Sequence, residues 1–251
     1  MSAPGVAVLG LGEAGSRIAA DLAGAGADVR GYDPARPGEG SAPDPESAVA
    51  GSDVVLSLCS ARAALAAAES VLAVLGRETI YADLNTASPA LKRELAELVA
   101  ATGARFADVA LLGPVPARGL ATPALASGEG AQAFADAFGP LGMPVEVVSD
   151  QAGDAATLKL LRSVFMKGLA ASAIESMQAA EAAGRADWLA GEIAEVIGQP
   201  LLDRLLESSR KHAARRTDEM EAAQALLRTL GIEPRVAEAS AALLAKLAAG
   251  E

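Results

Sequence analysis

The 251-residue chain is poorest in the residues that build metal centres and cross-links, with one cysteine, Cys59, and one histidine, His212. A single cysteine excludes an internal disulfide framework. One His and one Cys are also too few for a His/Cys metal site, so no metal is expected. Aromatic residues make up only 3% of the chain; the core must be aliphatic, and a composition that is 51% hydrophobic provides for it. Basic residues are outnumbered, 21 Lys and Arg against 32 Asp and Glu. The resulting net charge of −11 argues against nucleic acid or an anionic membrane as partner, although a small anionic ligand needs only a local cationic cluster. No uninterrupted apolar run reaches membrane-spanning length. The opening MSAPGVAVLG has none of the basic stretch, long apolar core and cleavage site of a signal peptide, so a cytoplasmic protein is expected.

What the chain does have is rhythm. Up to about residue 150, short β-branched runs at 6–10, 28–33, 53–59, 79–84, 105–111 and 144–149 alternate with helical stretches at 13–25, 61–75, 88–102 and 130–139. Such alternation predicts an α/β fold, a doubly wound and mostly parallel sheet of Rossmann type with both faces covered. Residues 34–47 form a Pro/Gly/Ser-rich loop. From 151 to 251 the pattern is all-helical, over roughly 153–183, 187–197, 199–211, 213–230 and 235–248, with Gly and Pro as punctuation. Two domains are therefore expected, a nucleotide-binding domain at 1–150 and an all-helical one at 151–251.

The first strand runs into Gly10-Leu11-Gly12-Glu13-Ala14-Gly15 and then a helix, which is Gly-x-Gly-x-x-Gly in its required context. Gly10 permits the tight turn, Gly12 lets the backbone approach a pyrophosphate, and Gly15 lets helix and strand pack closely. The helix N-terminus adds N–H groups and partial positive charge. Asp33 ends the second strand, where a carboxylate accepts from a ribose 2′-hydroxyl and repels a 2′-phosphate. NAD is the expected cofactor, with Arg36 leaving NADP open. Leu58, Cys59 and Ser60, after the third strand, are expected beside the nicotinamide ribose, with the Cys59 side chain read as a small buried hydrophobe.

Four stretches in order resemble the β-hydroxyacid dehydrogenase and 6-phosphogluconate dehydrogenase superfamily: GLGEAGSRIAADLAGAGADVRGYD (10–33), DLNTASP (83–89), FADVALLGPVPARGLATPALASG (106–128) and the helix DAATLKLLRSVFMKGLAA (154–171). The likeness covers about the first 170 residues. The tail looks like a less characterised branch with a short helical C-terminal domain. The resemblance implies hydride transfer between nicotinamide and a small hydroxy acid or carbonyl compound, with a Lys on the opening helix as general acid/base. That Lys is Lys159. Ser163 stands where the family has Asn and takes an orienting role. Asn85, Thr86 and Gly113 become substrate contacts, Asn85 being shared with the cofactor. Asn85 replaces the family's Ser, and Leu112-Gly113-Pro114 replaces Ser-Gly-Gly, removing a hydroxyl and one backbone N–H from the expected substrate cradle. Relatives often dimerise through the helical domain, so a homodimer is expected.

On a helix, Arg162 lies about 60° to one side of Lys159, and Ser163 and Lys167 about 40° and 80° to the other. Burial and like charges lower a Lys pKa toward working range, so Arg162 and Lys167 would tune Lys159. Lys167 is also a candidate partner for an acidic group of the substrate. His212, Arg215, Arg216 and Glu219 share one helical face and read as a solvated stripe, the alternative being that these cations reach an active site. Trp188 reads as packing. Two other functions stay open, an imine reductase and a non-catalytic NAD-binding sensor.

Overall fold

Strands that are apolar on both faces pack between two helical layers, and the chain divides its residues accordingly. The computed structural model describes residues 4–38 and 41–250. In chain order the elements are β1 (Gly5–Leu9), α1 (Glu13–Gly24), β2 (Asp28–Tyr32), α2 (Pro45–Val49), β3 (Val54–Ser57), α3 (Ala64–Glu69), β4 (Ile80–Asp83), α4 (Pro89–Ala100), β5 (Arg105–Leu111), α5 (Val115–Arg118), β6 (Ala124–Ser127), α6 (Ala131–Phe138) and β7 (Val145–Ser149). Helices α7 (Asp154–Ala182), α8 (Ala186–Ile197), α9 (Gln199–Lys211), α10 (Ala213–Thr229) and α11 (Arg235–Ala249) follow.

The seven strands form one sheet in the order β2-β1-β3-β4-β5-β6-β7. The first five are parallel; β6 runs antiparallel to β5, and β7 follows β6. Alternate residues serve alternate faces. Val6, Val8, Val54, Leu56, Ala107 and Val109 pack with Ile18, Leu22, Phe134 and Phe138 on one side. Ala7, Leu9, Val55, Tyr81 and Phe106 pack with Ala64, Ala68, Leu95 and Val99 on the other. Each large aliphatic side chain so buried contributes roughly 1.5–3 kcal/mol. The chain goes from β1 outward to β2 and returns to β3 on the opposite side of β1. That reversal opens a crevice at the carboxyl ends of β1 and β3.

The sheet has one strand more than expected. Residues 124–127, Ala-Leu-Ala-Ser, pair with β5 although they carry no β-branched residue. The expected helix at 61–75 is broken into a 3₁₀ turn at 61–63, α3 and a second 3₁₀ turn at 72–74, parted at Ser70 and the β-branched Val71. The expected loop at 34–47 holds over the described residues up to Asp44 and only then gives way to α2, because Asp44 accepts the Ser47 N–H at 2.7 Å and Pro45 suits the first helical position. Residues 39 and 40 of that loop lie outside the described residues.

Two compact units meet at Lys159/Leu160 rather than at 150. The reason lies in the first turn of α7, whose N–H groups are captured by the sheet: Ala155 N donates to Ser127 Oγ at 3.0 Å and Ala156 N to Asp108 Oδ2 at 2.9 Å. In the second unit Leu160, Met220, Ala223, Leu226, Ala241 and Leu244 form a separate core. Helix α8 buries no residue, and Trp188, expected to pack, is 64% exposed. Among the described residues no helix is long and apolar enough to cross a membrane.

Candidate active site

The glycine loop is shaped by its neighbours. Gly10 has φ +100°, and a Cβ there would sit 2.7 Å from the Leu58 carbonyl oxygen; a Cβ on Gly15 would sit 1.9 Å from the Gly10 oxygen. Neither position admits a side chain. Gly12 differs, because a Cβ there would meet nothing within 4 Å. Its bareness serves no contact inside the chain and leaves the backbone open to a ligand. Helix α1 begins here without a side-chain cap, so its first N–H groups face outward. Leu11 packs over Gly31, Ala14 packs against the core and Glu13 is exposed.

Asp33 is half-buried and holds this loop. Its Oδ2 accepts the Leu11 N–H at 2.8 Å and its Oδ1 the Ala35 N–H at 2.9 Å. A carboxylate has about four lone-pair sites, so two are left for ribose hydroxyls. Beside it lies a cavity of ≈ 390 Å³ lined by Tyr32, Asp33, Pro37, Ser41 and Pro43 among others. Arg36 is exposed, and its backbone N–H closes a turn onto the Asp33 carbonyl at 3.0 Å. An open Gly12 backbone, an uncapped helix start and a carboxylate beside a cavity together fit a dinucleotide.

Across the crevice, β3 ends at Ser57 and is followed by Leu58, Cys59 and Ser60. Ser60 Oγ caps the following turn by accepting from Ala63 N at 3.3 Å. Cys59 is exposed rather than a buried hydrophobe, because the chain leaves the sheet at Ser57. Its Sγ lies 3.5 Å from Asn85 Nδ2. That amide also donates to Ser57 Oγ at 2.9 Å and to Asp83 Oδ2 at 2.6 Å, so Asn85 is fixed at the carboxyl ends of β3 and β4. Thr86, next in sequence, accepts from Lys159 Nζ at 2.7 Å. Gly113 lies past the end of β5 beside Thr122 and Arg118.

Behind Asn85 stands a group that the sequence reading missed. Lys92 of α4 is buried between Asp83 Oδ1 at 2.6 Å and Asp108 Oδ1 at 3.0 Å. Burial works against its ammonium, but the Asp108 and Asp83 carboxylates outweigh it and hold the pKa above the ordinary Lys value. Burial, with the Asp83 charge adding to it, pushes the nearby Tyr81 phenol up and keeps it neutral. A signal for Lys92 was available: it shares the buried face of α4 with Leu95 and Val99, three and seven residues on.

In the second unit Ser163 and Lys167 meet Glu219 of α10. Ser163 Oγ donates to Glu219 Oε1, and Lys167 Nζ reaches the same oxygen at 3.0 Å and Ser163 Oγ at 3.3 Å. Burial lowers the Lys167 pKa, Glu219 opposes that, and the Arg216 and Arg162 charges lower it further. The solvated stripe expected at 212–219 therefore holds only in part. Arg215 is exposed, whereas the Glu219 side chain is 11% exposed and Arg216 binds Ser208 and Ser209 through its guanidinium.

The chain matches known families over both units. Residues 5–137 match the NAD binding domain of 6-phosphogluconate dehydrogenase, and residues 180–247 a domain of unknown function, DUF1932. A conserved hypothetical protein from Sinorhizobium meliloti 1021 is 30% identical over 98% of this chain and 88% of its own, with a TM-score of 0.75. The conserved protein MTH1747, whose structure resembles 3-hydroxyacid dehydrogenases, is 27% identical over 96% of each chain, with a TM-score of 0.74. An uncharacterised 28.5 kDa protein from Methanothermus fervidus is 29% identical over 160 residues, which is 64% of this chain and 61% of that protein's length. The first unit is thus an NAD-binding domain, and the chain belongs to the β-hydroxyacid dehydrogenase and 6-phosphogluconate dehydrogenase superfamily, in a branch with a helical C-terminal domain.

Proposed function

We propose that this chain interconverts a small hydroxy acid, or related carbinol, and its carbonyl form, with Lys159 as general acid/base. The observation that carries the reading is the 2.7 Å bond from Lys159 Nζ to Thr86 Oγ1, beside the fixed Asn85 amide at the carboxyl edge of the sheet. When bound at the Gly10–Gly15 loop, NAD(P) supplies the hydride acceptor for oxidation or the donor for reduction. The loop backbone and the α1 N-terminus would hold its phosphates, and Asp33 would take its ribose hydroxyls.

The chain's own task is the proton. During oxidation the substrate hydroxyl gives its proton to neutral Lys159 Nζ as hydride leaves the carbinol carbon; in reduction the ammonium returns a proton to the carbonyl oxygen. Thr86 Oγ1 accepts from Nζ and aims it, a role the resemblance would give to Ser163. Ser163 and Lys167 are instead engaged with Glu219, so the Lys167 charge is already met. We also assign the exposed apolar side of α8, with Trp188 and Val196, to a homodimer contact.

A panel of small hydroxy acids and carbonyl compounds with NAD and NADP tests the reading by absorbance of the reduced nicotinamide. Lys159→Ala is expected to lower kcat by about 10²–10⁴-fold with an unchanged cofactor Kd. A Lys159→Ala variant with full turnover would overturn the assignment. A wild-type chain that binds cofactor but turns over no member of the panel would favour a sensor.

A further inference from the structure

The buried Asp83–Lys92–Asp108 cluster has no part in the proton transfer, yet its contacts reach groups on both sides of the proposed site. Lys92 is 1% exposed, and the two carboxylates are 0% exposed. The Lys92 ammonium donates to the Asp83 carbonyl oxygen at 2.8 Å and to Asp83 Oδ1 at 2.6 Å, and it forms an ion pair with Asp108 Oδ1 at 3.0 Å. The second oxygen of each Asp then points elsewhere. Asp83 Oδ2 accepts from the Asn85 amide at 2.6 Å. Asp108 Oδ2 accepts from Ala156 N at 2.9 Å and from Ser127 Oγ at 3.3 Å, and Ser127 Oγ accepts from Ala155 N at 3.0 Å.

These two arms meet again. Ala155 and Ala156 lie in the first turn of α7, one turn before Lys159, and Lys159 Nζ reaches Thr86, the residue after Asn85. The contacts close a ring: Lys92, Asp83, the 83–86 segment, Lys159, the first turn of α7, Asp108 and back to Lys92. Strand registration does not require Lys92, because β4 and β5 already pair through their backbones with Asp83 opposite Asp108. What the ammonium adds is the aim of four carboxylate oxygens, two toward itself and two toward the groups that flank the reaction centre.

We propose that Lys92 is a positioning residue, which fixes Asn85 and Lys159 relative to one another through Asp83 and Asp108. The inference rests on the hydride-transfer reading for its purpose, while its geometry is independent of that reading. Lys92→Met alone would leave two carboxylates facing each other, so the variant to measure is Lys92→Met with Asp108→Asn. That pair leaves the net charge of the three positions unchanged, and the new Asn can still accept from Ala156 N, but the ring is cut. Expected are a cofactor Kd close to wild type, a kcat lower by about 100-fold with little change in KM, a shifted pH profile of kcat, and a lower thermal midpoint because the buried Asp83 carboxylate loses its cation.

The second readout needs no substrate. Competitive acetylation of Lys159 with acetic anhydride across pH, followed by peptide mass spectrometry, should show a displaced midpoint in the double variant. An unchanged kcat, or an unchanged labelling midpoint, overturns the proposal. If the wild type turns over no panel compound, the hydride-transfer reading fails and the labelling midpoint alone decides the role of Lys92. If the double variant does not fold, Lys92→Arg, which keeps the charge but displaces the donors, carries the same two readouts.

Discussion

Gly12 and Gly15 stand in one loop for different physical reasons, and substitution separates them. Gly15→Ala would drive a methyl to 1.9 Å from the Gly10 carbonyl oxygen, so it is expected to lower the thermal midpoint and abolish cofactor binding together. Gly12→Ala meets nothing inside the chain at an ordinary backbone angle (φ −64°), so it should melt like wild type while weakening NAD(P) binding in a titration. A Gly12→Ala variant with wild-type affinity would show that no ligand approaches there. The loop was legible in the sequence because its glycines answer to backbone geometry, and geometry of this kind leaves a spacing. Asp33 was legible for the same reason, by its place at the end of β2, whereas Lys159 was singled out only through the resemblance to the family. Lys92 was not, since a Lys in an amphipathic helix reads as solvated unless its register is compared with Leu95 and Val99. The partners that make it tolerable, Asp83 and Asp108, come from two other elements, and no local pattern joins the three.

At the scale of the element, α7 and α10 are joined by a polar knot rather than by aliphatic packing alone. Glu219→Ala would leave the Lys167 ammonium, 14% exposed, and the Ser163 hydroxyl without their acceptor. Truncating one member of such a pair costs about 3 kcal/mol, measurable by urea unfolding near neutral pH. The sign of the pH dependence follows from the lowered Lys167 pKa. Below its ordinary value of 10.5 the unfolded chain holds the proton more firmly than the folded one, so stability rises as pH climbs through that window. With Glu219 gone the opposing attraction is gone too, and the penalty in Glu219→Ala should shrink on the alkaline side. A penalty constant with pH would place Lys167 outside the knot. The strands of the parallel core were legible from their continuous β-branched runs. Strand β6 was not, because Ala124–Ser127 has no strand propensity of its own and is held by pairing with β5 and β7.

For the whole molecule, the two-part organisation was visible in the change of rhythm near residue 150, while the division of contacts lies further on, inside α7, because the sheet captures the first turn of that helix. The helical unit carries an unburied apolar face: α8 has no buried residue, Trp188 is 64% exposed and Val196 83%. A Trp188→Glu/Val196→Glu variant is expected to run as a monomer by light scattering where the wild type runs as a dimer, with the fold of both units kept. A monomeric wild type would remove the contact. One last property belongs to the molecule as a unit. Because the chain has a single cysteine, and that thiol is exposed at the end of β3 within reach of the Asn85 amide, each molecule offers one chemical handle at its crevice. A thiol-reactive dye would therefore attach at one defined point without any engineering. Slower attachment in the presence of NAD(P) would report cofactor arrival before a single substrate is known.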